Sequence, residues 1–372
     1  LIFKPSARVN LAERVKEFLM PILPPSRFQK LVFKWFDHFG RKTLPWQKNK
    51  TPYSVWVSEI MLQQTQVSTV IPYYQKFLQR FPNLGALALA KEDEVLHQWT
   101  GLGYYSRARN LHRSAKLIQE KYQGKFPDQL EQIQELPGIG RSTAGAILSC
   151  AFHKRAPILD GNVKRLLSRY HALSSSIDDK ATLDQLWLLA EKYTPKERNS
   201  DYSQVMMDLG ATLCTRRNPR CSACPLAKSC QAYQLGLVEL IPAKNKKAAL
   251  PVKQSTFLIL KHKNKVLLQK RPAKGLWGGL WSLPEISKKL SLAEAKRLCC
   301  EQFKVSIKDA QTLKAFRHSF THFHLDILPF CLELAENPSK KLASPEQIWY
   351  SLHRPKALGL PKPVLSILGE LA

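Results

Sequence analysis

The sequence predicts a helical domain joined to a smaller α+β domain, and three observations carry that expectation. Residues 28–240 place apolar residues at helical spacing between Gly, Pro and Asp breaks. Four of the eight cysteines fall in CTRRNPRCSACPLAKSC, from Cys214 to Cys230, near the end of that region. After LVELIPAKNKKAALPVKQ, a Lys-, Ala- and Pro-rich stretch read as a linker, the pattern changes to short strand-like runs. The expected division is an N-terminal extension 1–27 of no assigned role, a helical region 28–237, a linker 238–255 and a C-terminal domain 256–372.

The elements follow in order. TPYSVWVSEIMLQQTQ reads as a helix with Thr51 as N-cap and Pro52 at its first position, where a missing N–H costs nothing. PYYQKFLQRF, KEDEVLHQW, SRARNLHRSAKLIQEKY, residues 142–152, NVKRLLSRY and TLDQLWLLAEKY continue the helical series. In the C-terminal part, STFLILK and KVLLQKR flank a polar turn and read as a hairpin. Segment 291–303 reads as a helix and FHLDILPFCLEL as a strand.

Composition narrows the function. The chain of 372 residues carries 57 Lys and Arg against 29 Asp and Glu, a net charge of +28, which points to a polyanion partner. No run approaches a transmembrane helix, and LIFKPSARVNLAERVKEFLMPILPPSRF mixes charge and proline through its apolar residues, unlike a signal peptide. Half the cysteines are clustered and the others (Cys150, Cys299, Cys300, Cys331) lie in apolar or mixed segments, a usage expected of a reducing compartment such as the bacterial cytoplasm or nucleoid.

Three motifs carry chemistry. In LPGIGRSTAGAIL, Gly138 and Gly140 precede a helical run, so the turn can approach a ligand closely and present backbone N–H groups to a phosphate. With the helical segment 128–135 upstream, this is a helix-hairpin-helix pattern, which grips a DNA strand without reading its sequence. Downstream, LDGNVKR puts Asp160 just before a helix, the position of an N-cap as well as of a catalytic carboxylate beside the grip. Glu59 stands in VWVSEIMLQQTQV, a run otherwise free of charge, and shares a helical face with Gln63. Burial there would raise its pKa and keep it protonated, as a general acid requires; a solvated outer face is the alternative. One protonated and one ionised carboxyl form the pattern that cleaves glycosidic bonds, and a nucleobase is held to its sugar by such a bond.

These residues resemble the endonuclease III superfamily of DNA glycosylases, and within it the adenine DNA glycosylase (MutY) family. RKTLPWQ (41–47), SEIMLQQTQV (58–67), TGLGYYSRARNLH (100–112), LDGNVKR (159–165) and DYSQVMMDLGA (201–211) carry the resemblance over most of residues 30–235, and FRHSFTHFHL (316–325) extends it to the second domain. It implies removal of adenine mispaired with 8-oxoguanine or guanine in double-stranded DNA by a monomer. It further implies Glu59 as the acid that protonates adenine, Asp160 as the carboxylate that stabilises or captures the sugar, and Asn162 as its support. Gln63, Gln64 and Tyr104 match residues that enter the stack around the opposing lesion. Arg41, Trp46 and Gln204 match residues near the adenine pocket. Ser142 stands where bifunctional relatives carry a Schiff-base lysine, so a monofunctional enzyme is expected.

The resemblance also bears on the cysteines and on the second domain. Four cysteines at 6-2-5 spacing, Cys214, Cys221, Cys224 and Cys230, suit zinc as well as an iron-sulfur cluster, and the family's site is a [4Fe-4S] cluster. Arg216, Arg217, Arg220 and Lys228 are expected to offset its negative charge, and the three arginines to meet DNA phosphates. In GLWGGLWSLPE, Gly279 and Glu285 have the spacing that opens a Nudix box, but Arg297 and Leu298 stand where two metal-binding glutamates belong. A Nudix-like scaffold used for recognition is the expectation, with Phe320, Thr321 and His322 matching the family's lesion-reading Phe-Ser-His loop. An endonuclease III-type pyrimidine glycosylase and lyase, a silent lesion-binding protein and a Nudix hydrolase are the rival readings.

Overall fold

Why these segments become helices is visible at their ends. In the computed structural model, which describes residues 21–243, 249–336 and 344–372, α1 (Pro25–Phe39) and α2 (Pro52–Leu62) both start on proline. Thr51 caps α2 as expected: its hydroxyl accepts from the Ser54 N–H at 3.1 Å, and the Ser54 hydroxyl accepts from the Thr51 N–H at 2.9 Å. The chain continues through α3 (Val67–Arg80), α4 (Leu84–Leu89), α5 (Glu92–Trp99), α6 (Ser106–Lys121), α7 (Leu130–Gln134), α8 (Arg141–Ala151), α9 (Gly161–Tyr170), α10 (Lys180–Tyr193), α11 (Asn199–Thr212) and the short α12 (Gln231–Gln234). Residues 1–20 of the expected extension and 244–248 of the expected linker lie outside the described residues.

Packing divides the chain into two compact units. Of the described residues, the first comprises 21–78, Asn83–Gly85 and 114–243. Its core joins Phe28 and Val32 of α1, Tyr170 of α9, Tyr193 of α10 and Val205 of α11, all at most 1% exposed. Each such side chain contributes about 1.5–3 kcal/mol by leaving water. Gly145 lets α8 lie against the irregular segment before Asp160, since a Cβ there would stand 2.3 Å from the Pro157 carbonyl oxygen.

The second unit comprises, of the described residues, Gln79–Pro82, Ala86–Arg113, 249–336 and 344–372, so α5 and the glycine-rich turn after it pack with the C-terminal residues. Polar contacts explain this: Asp93 accepts from Lys270 Nζ (3.1 Å) and Trp281 Nε1 (3.3 Å), and the Tyr105 hydroxyl donates to the Leu360 carbonyl (2.9 Å). The unit is built on a mixed sheet of β1 (Val252–His262), β2 (Lys265–Lys270), β3 (Trp281–Ser282), β4 (Glu285–Ile286), β5 (Ile307–Thr312), β6 (Phe316–Ser319), β7 (His324–Leu334) and β8 (Gln347–Ser351). The order is β3-β2-β1-β7-β5, with β4 on β1, β6 on β7 and β8 on β2. β1 and β2 form the expected hairpin, with His262 opposite Lys265, and β1 runs parallel to β7 from Val252↔His324 to Lys261↔Glu333. α13 (Leu292–Phe303), capped by a Ser291–Glu294 box, covers one face through Ala295, Cys299 and Phe303, and α14 (Lys362–Leu371) ends the chain. β5 and β6 escape sequence reading because each pairs only with β7 and stays largely exposed, so no apolar alternation marks it.

Candidate active site

From Tyr53 to Met61 every residue of α2 is buried except Glu59, which is half-buried. Burial first, and the Asp160 carboxyl second, push its pKa up to about 8. Two carboxyls far apart in sequence are thus neighbours in space. Among the described residues no N–H or O–H donates to the Glu59 carboxyl.

Asp160 is surrounded by donors. It caps α9: Oδ1 accepts from the N–H groups of Asn162 (3.1 Å) and Val163 (2.8 Å), and Oδ2 from Asn162 Nδ2 (2.9 Å). Burial pushes the Asp160 carboxyl above its usual range, while these donors and Arg165 pull it back. Three N–H donors and a helix N-terminus favour a charge on Asp160, whereas Glu59 has neither, so a proton held by the pair belongs on Glu59. The carboxyl that caps α9 is thus also the one beside Glu59.

Asn162 is itself held. Its Oδ1 accepts from Arg165 Nη2 (2.9 Å), and Arg165 also donates to the carbonyls of Gly210 (2.6 Å) and Cys214 (2.7 Å). A Cβ at Gly210 would lie 2.4 Å from Asn162 Cβ, so only glycine lets α11 approach this closely. Sequence reasoning missed Arg165 and Gly210, although Arg165 lies three residues beyond Asn162 on one helix face.

The hairpin sits beside the same centre. Gly138 has φ +83°, which only glycine adopts freely, and nothing would contact a Cβ on Gly140. Gly140 precedes α8 without a side-chain cap, leaving the first N–H groups of that helix for a ligand. Ser142 Oγ accepts from the Leu159 N–H at 2.9 Å, tying the hairpin to the residue before Asp160. Gln63 terminates α2 instead of sharing its face with Glu59, and Nε2 reaches Thr143 Oγ1 (3.4 Å) and the Gly138 carbonyl (3.5 Å). Gln64 follows in the left-handed region at φ +58°.

Arg41 and Gln204 meet at a buried carboxylate the sequence did not single out. Asp208, fully buried, accepts from the Arg41 N–H, Nε and Nη2, each at 2.8 Å, and from Gln204 Nε2 at 2.6 Å. Gln47 in turn bonds Gln204. Trp46 is buried with its ring edge-on to Tyr74 at 5.5 Å. The signal for Asp208 was available: it follows Gln204 by four residues in an otherwise apolar stretch of α11.

Cys214, Cys221, Cys224 and Cys230 line one small apolar cavity with Leu166 and Tyr170. Burial and the neighbouring thiols push Cys224 up to about 12 and Cys230 up to about 11, so thiolates form there only with a compensating metal charge. The donor set therefore fits a thiolate-held metal group. The arginine at the sulfur is not one of those expected. Buried Arg169 of α9 donates from Nη1 to Cys214 Sγ (3.4 Å) and the Thr215 carbonyl (2.7 Å). Arg216 and Arg217 are exposed, and Arg220 donates to the Thr212 carbonyl at 2.8 Å.

In the second unit, Tyr104 and the loop Phe320–His322 line one cavity of about 1130 Å³, though far apart in sequence. Phe320 stacks on Phe323 with ring centres 4.6 Å apart, and Thr321 Oγ1 and His322 Nδ1 lie 3.5 Å apart. Glu285 is committed to Arg271 and to the Ser255 hydroxyl (2.8 Å). Arg297 is exposed and pairs with Glu301, and Leu298 packs against the core, so neither offers an oxygen ligand.

An uncapped helix start at α8, a raised carboxyl beside a capped one, and a cysteine-lined cavity are the pattern of a base-excision DNA glycosylase of the helix-hairpin-helix class. Residues 57–192 match the HhH-GPD superfamily of base excision DNA repair proteins, 214–230 the iron-sulfur binding domain of endonuclease III, and 255–370 the NUDIX domain. A thermostable thymine-DNA glycosylase of known structure superposes with a TM-score of 0.51 at 26% identity, covering 56% of this chain and 96% of that one. The adenine DNA glycosylase of Buchnera aphidicola (subsp. Acyrthosiphon pisum) is 45% identical over 341 residues, 92% of this chain and 96% of that protein. The mouse adenine DNA glycosylase is 32% identical over 417 residues, 93% of this chain and 80% of that protein. The chain belongs to the adenine DNA glycosylase family and carries a [4Fe-4S] cluster. Among the described residues no helix is long and apolar enough to cross a membrane.

Proposed function

We propose that this enzyme excises adenine mispaired with 8-oxoguanine, and with guanine, from double-stranded DNA, as a monomer and without a lyase step, in the cytoplasm or nucleoid. The observation that carries the reading is the carboxyl pair, with the proton on Glu59 and the donors on Asp160. The adenine nucleotide must leave the stack for its glycosidic bond to reach both groups. Glu59 gives its proton to a ring nitrogen, so the base leaves as neutral adenine with the bonding electron pair. The sugar cation that remains is stabilised by the Asp160 carboxylate, which Asn162 and Arg165 hold in place. Water adds to the sugar carbon and its proton passes to a carboxylate of the pair. Ser142, whose hydroxyl accepts the Leu159 N–H, has no amine with which to form a Schiff base.

Gly138 and Gly140 hold the strand by its phosphate. The network of Arg41, Gln204 and Asp208 lies at the adenine pocket, with Trp46 as its wall, and Gln63, Gln64 and Tyr104 act at the lesion opposite. In the second unit Phe320, Thr321 and His322 read the 8-oxo group. Cys214, Cys221, Cys224 and Cys230 would hold the cluster. Bound there it would cross-link the loop, and Arg169 at Cys214 would offset its charge.

Two measurements test this reading. Adenine release from duplexes with A opposite 8-oxoguanine, G, C or T is expected to be fastest for 8-oxoguanine, then G, with no borohydride-trapped adduct; equal rates for all four partners would refute it. Replacing Arg216 and Arg217 together by Ala is expected to weaken binding to every duplex and to lower the slope of log K against log salt by about 2. An unchanged slope would remove these two residues from the DNA contact.

A further inference from the structure

The wedge position of Tyr104 is held by a device that the sequence motifs do not reveal. The turn Gly101–Tyr104 carries three positive φ angles, +99° at Gly101, +78° at Gly103 and +48° at Tyr104. For a bulky aromatic residue this region is sterically costly and persists only where neighbours hold it. Trp99, fully buried, donates from Nε1 to the Gly103 carbonyl (3.1 Å), and Arg107 Nη2 donates to the same oxygen (3.2 Å). The Arg107 N–H closes the turn onto the Tyr104 carbonyl at 2.9 Å.

The side chains form a layered stack. The Arg107 guanidinium lies 5.4 Å from the Trp99 ring centre and 5.6 Å from that of Tyr104. Arg107 is 8% exposed, whereas Tyr104 is 43% exposed and lines the cavity that also holds Phe320, Thr321 and His322. Arg107 is absent from that lining.

We propose that Arg107 is a positioning residue for mismatch recognition: it occupies the inner face of the Tyr104 ring and leaves one open face for a DNA base. This rests on the reading of Tyr104 as a wedge. A cation on one face also draws electron density from the ring, which favours stacking of an electron-rich purine on the other. The ring is thereby oriented before DNA arrives, so binding does not have to freeze it. Burial pushes the Arg107 pKa down to about 10, with Tyr104 acting in the opposite sense, and the guanidinium stays charged at neutral pH.

A double-mutant cycle on the full-length holoenzyme tests the proposal, using duplexes that carry a non-cleavable adenosine analogue opposite 8-oxoguanine, and fully paired duplex as control. Arg107→Leu is expected to weaken mismatch binding by about tenfold, the worth of one stacked base, while paired duplex changes far less. Arg107→Lys, which keeps the charge but loses the plane, is expected to fall in between. In a Tyr104→Ala background, Arg107→Leu should change binding less than about twofold. A full tenfold loss in that background would show that Arg107 acts on DNA or on the fold directly, and would overturn the proposal. So would wild-type affinity in Arg107→Leu when Tyr104→Ala is impaired. If Tyr104→Ala binds normally, the wedge reading itself fails and takes this inference with it. Should Arg107→Leu not fold by near-ultraviolet circular dichroism, the cycle is run with Arg107→Lys, whose loss must likewise vanish without Tyr104.

Discussion

Glu59→Gln is expected to slow adenine release at pH 7 by about a thousandfold while leaving duplex affinity nearly intact. Gln keeps the shape of the neutral acid but has no proton to give, so the loss isolates acid catalysis from packing. Because Glu59 is held up at about 8, the protonated fraction persists through neutrality, and single-turnover rates should fall as pH rises through about 8. The same shift has a sign for stability. The folded chain retains a proton that the unfolded chain gives up above its ordinary value of 4.5, so this carboxyl weakens the fold progressively from about 4.5 to about 8. Glu59→Gln removes that slope. Normal turnover by the Gln enzyme would end the assignment.

Asp160→Asn should separate the two duties of the other carboxyl. Asn caps helices about as well as Asp, so thermal stability is expected to stay within about 0.5 kcal/mol, whereas Asp160→Ala should cost about 1 kcal/mol through the lost cap. Catalysis behaves differently. The sugar cation needs a negative charge, and Asn offers none, so adenine release should drop by about a hundredfold to a thousandfold in both variants. Thermal unfolding and single-turnover rates on the same preparations check this. An Asn variant that is both stable and active would leave Asp160 as a cap alone.

Local chemistry explains what could be read from the chain in advance. The Thr51 cap, the prolines opening α1 and α2, and the hairpin between β1 and β2 depend on residues within a few positions of one another. So do the tight turn at Gly138 and the spacing of the four cysteines. Such features are short-range and leave marks at fixed offsets. That Arg297 and Leu298 bring no side-chain oxygen ligand is equally local, since it holds wherever the helix lies.

Longer-range relations were not legible. Burial of Glu59 beside Asp160 depends on how α2, α8 and α9 pack, and a pKa near 8 is a property of that packing. Asp208 joins Gln204 of its own helix to Arg41, which lies 167 residues away. Arg169, distant from the cysteines in sequence, supplies the guanidinium at Cys214 that the loop arginines were expected to supply. Trp46 packs edge-on against Tyr74 of α3, a contact that no local pattern records. α5, embedded in the helical region, joins the C-terminal unit because Asp93 bonds Lys270 and Trp281.

The helical and α+β parts, the turn at Gly138, the set of four cysteines and the presence of two carboxyls were legible in the chain, because side-chain type and near-neighbour spacing decide those. Packing alone sets which carboxyl is raised to about 8, what donates to Asp160 and which cation faces the Tyr104 ring. Those properties come from desolvation and from donors and rings brought together across long stretches of chain, and no local pattern records them.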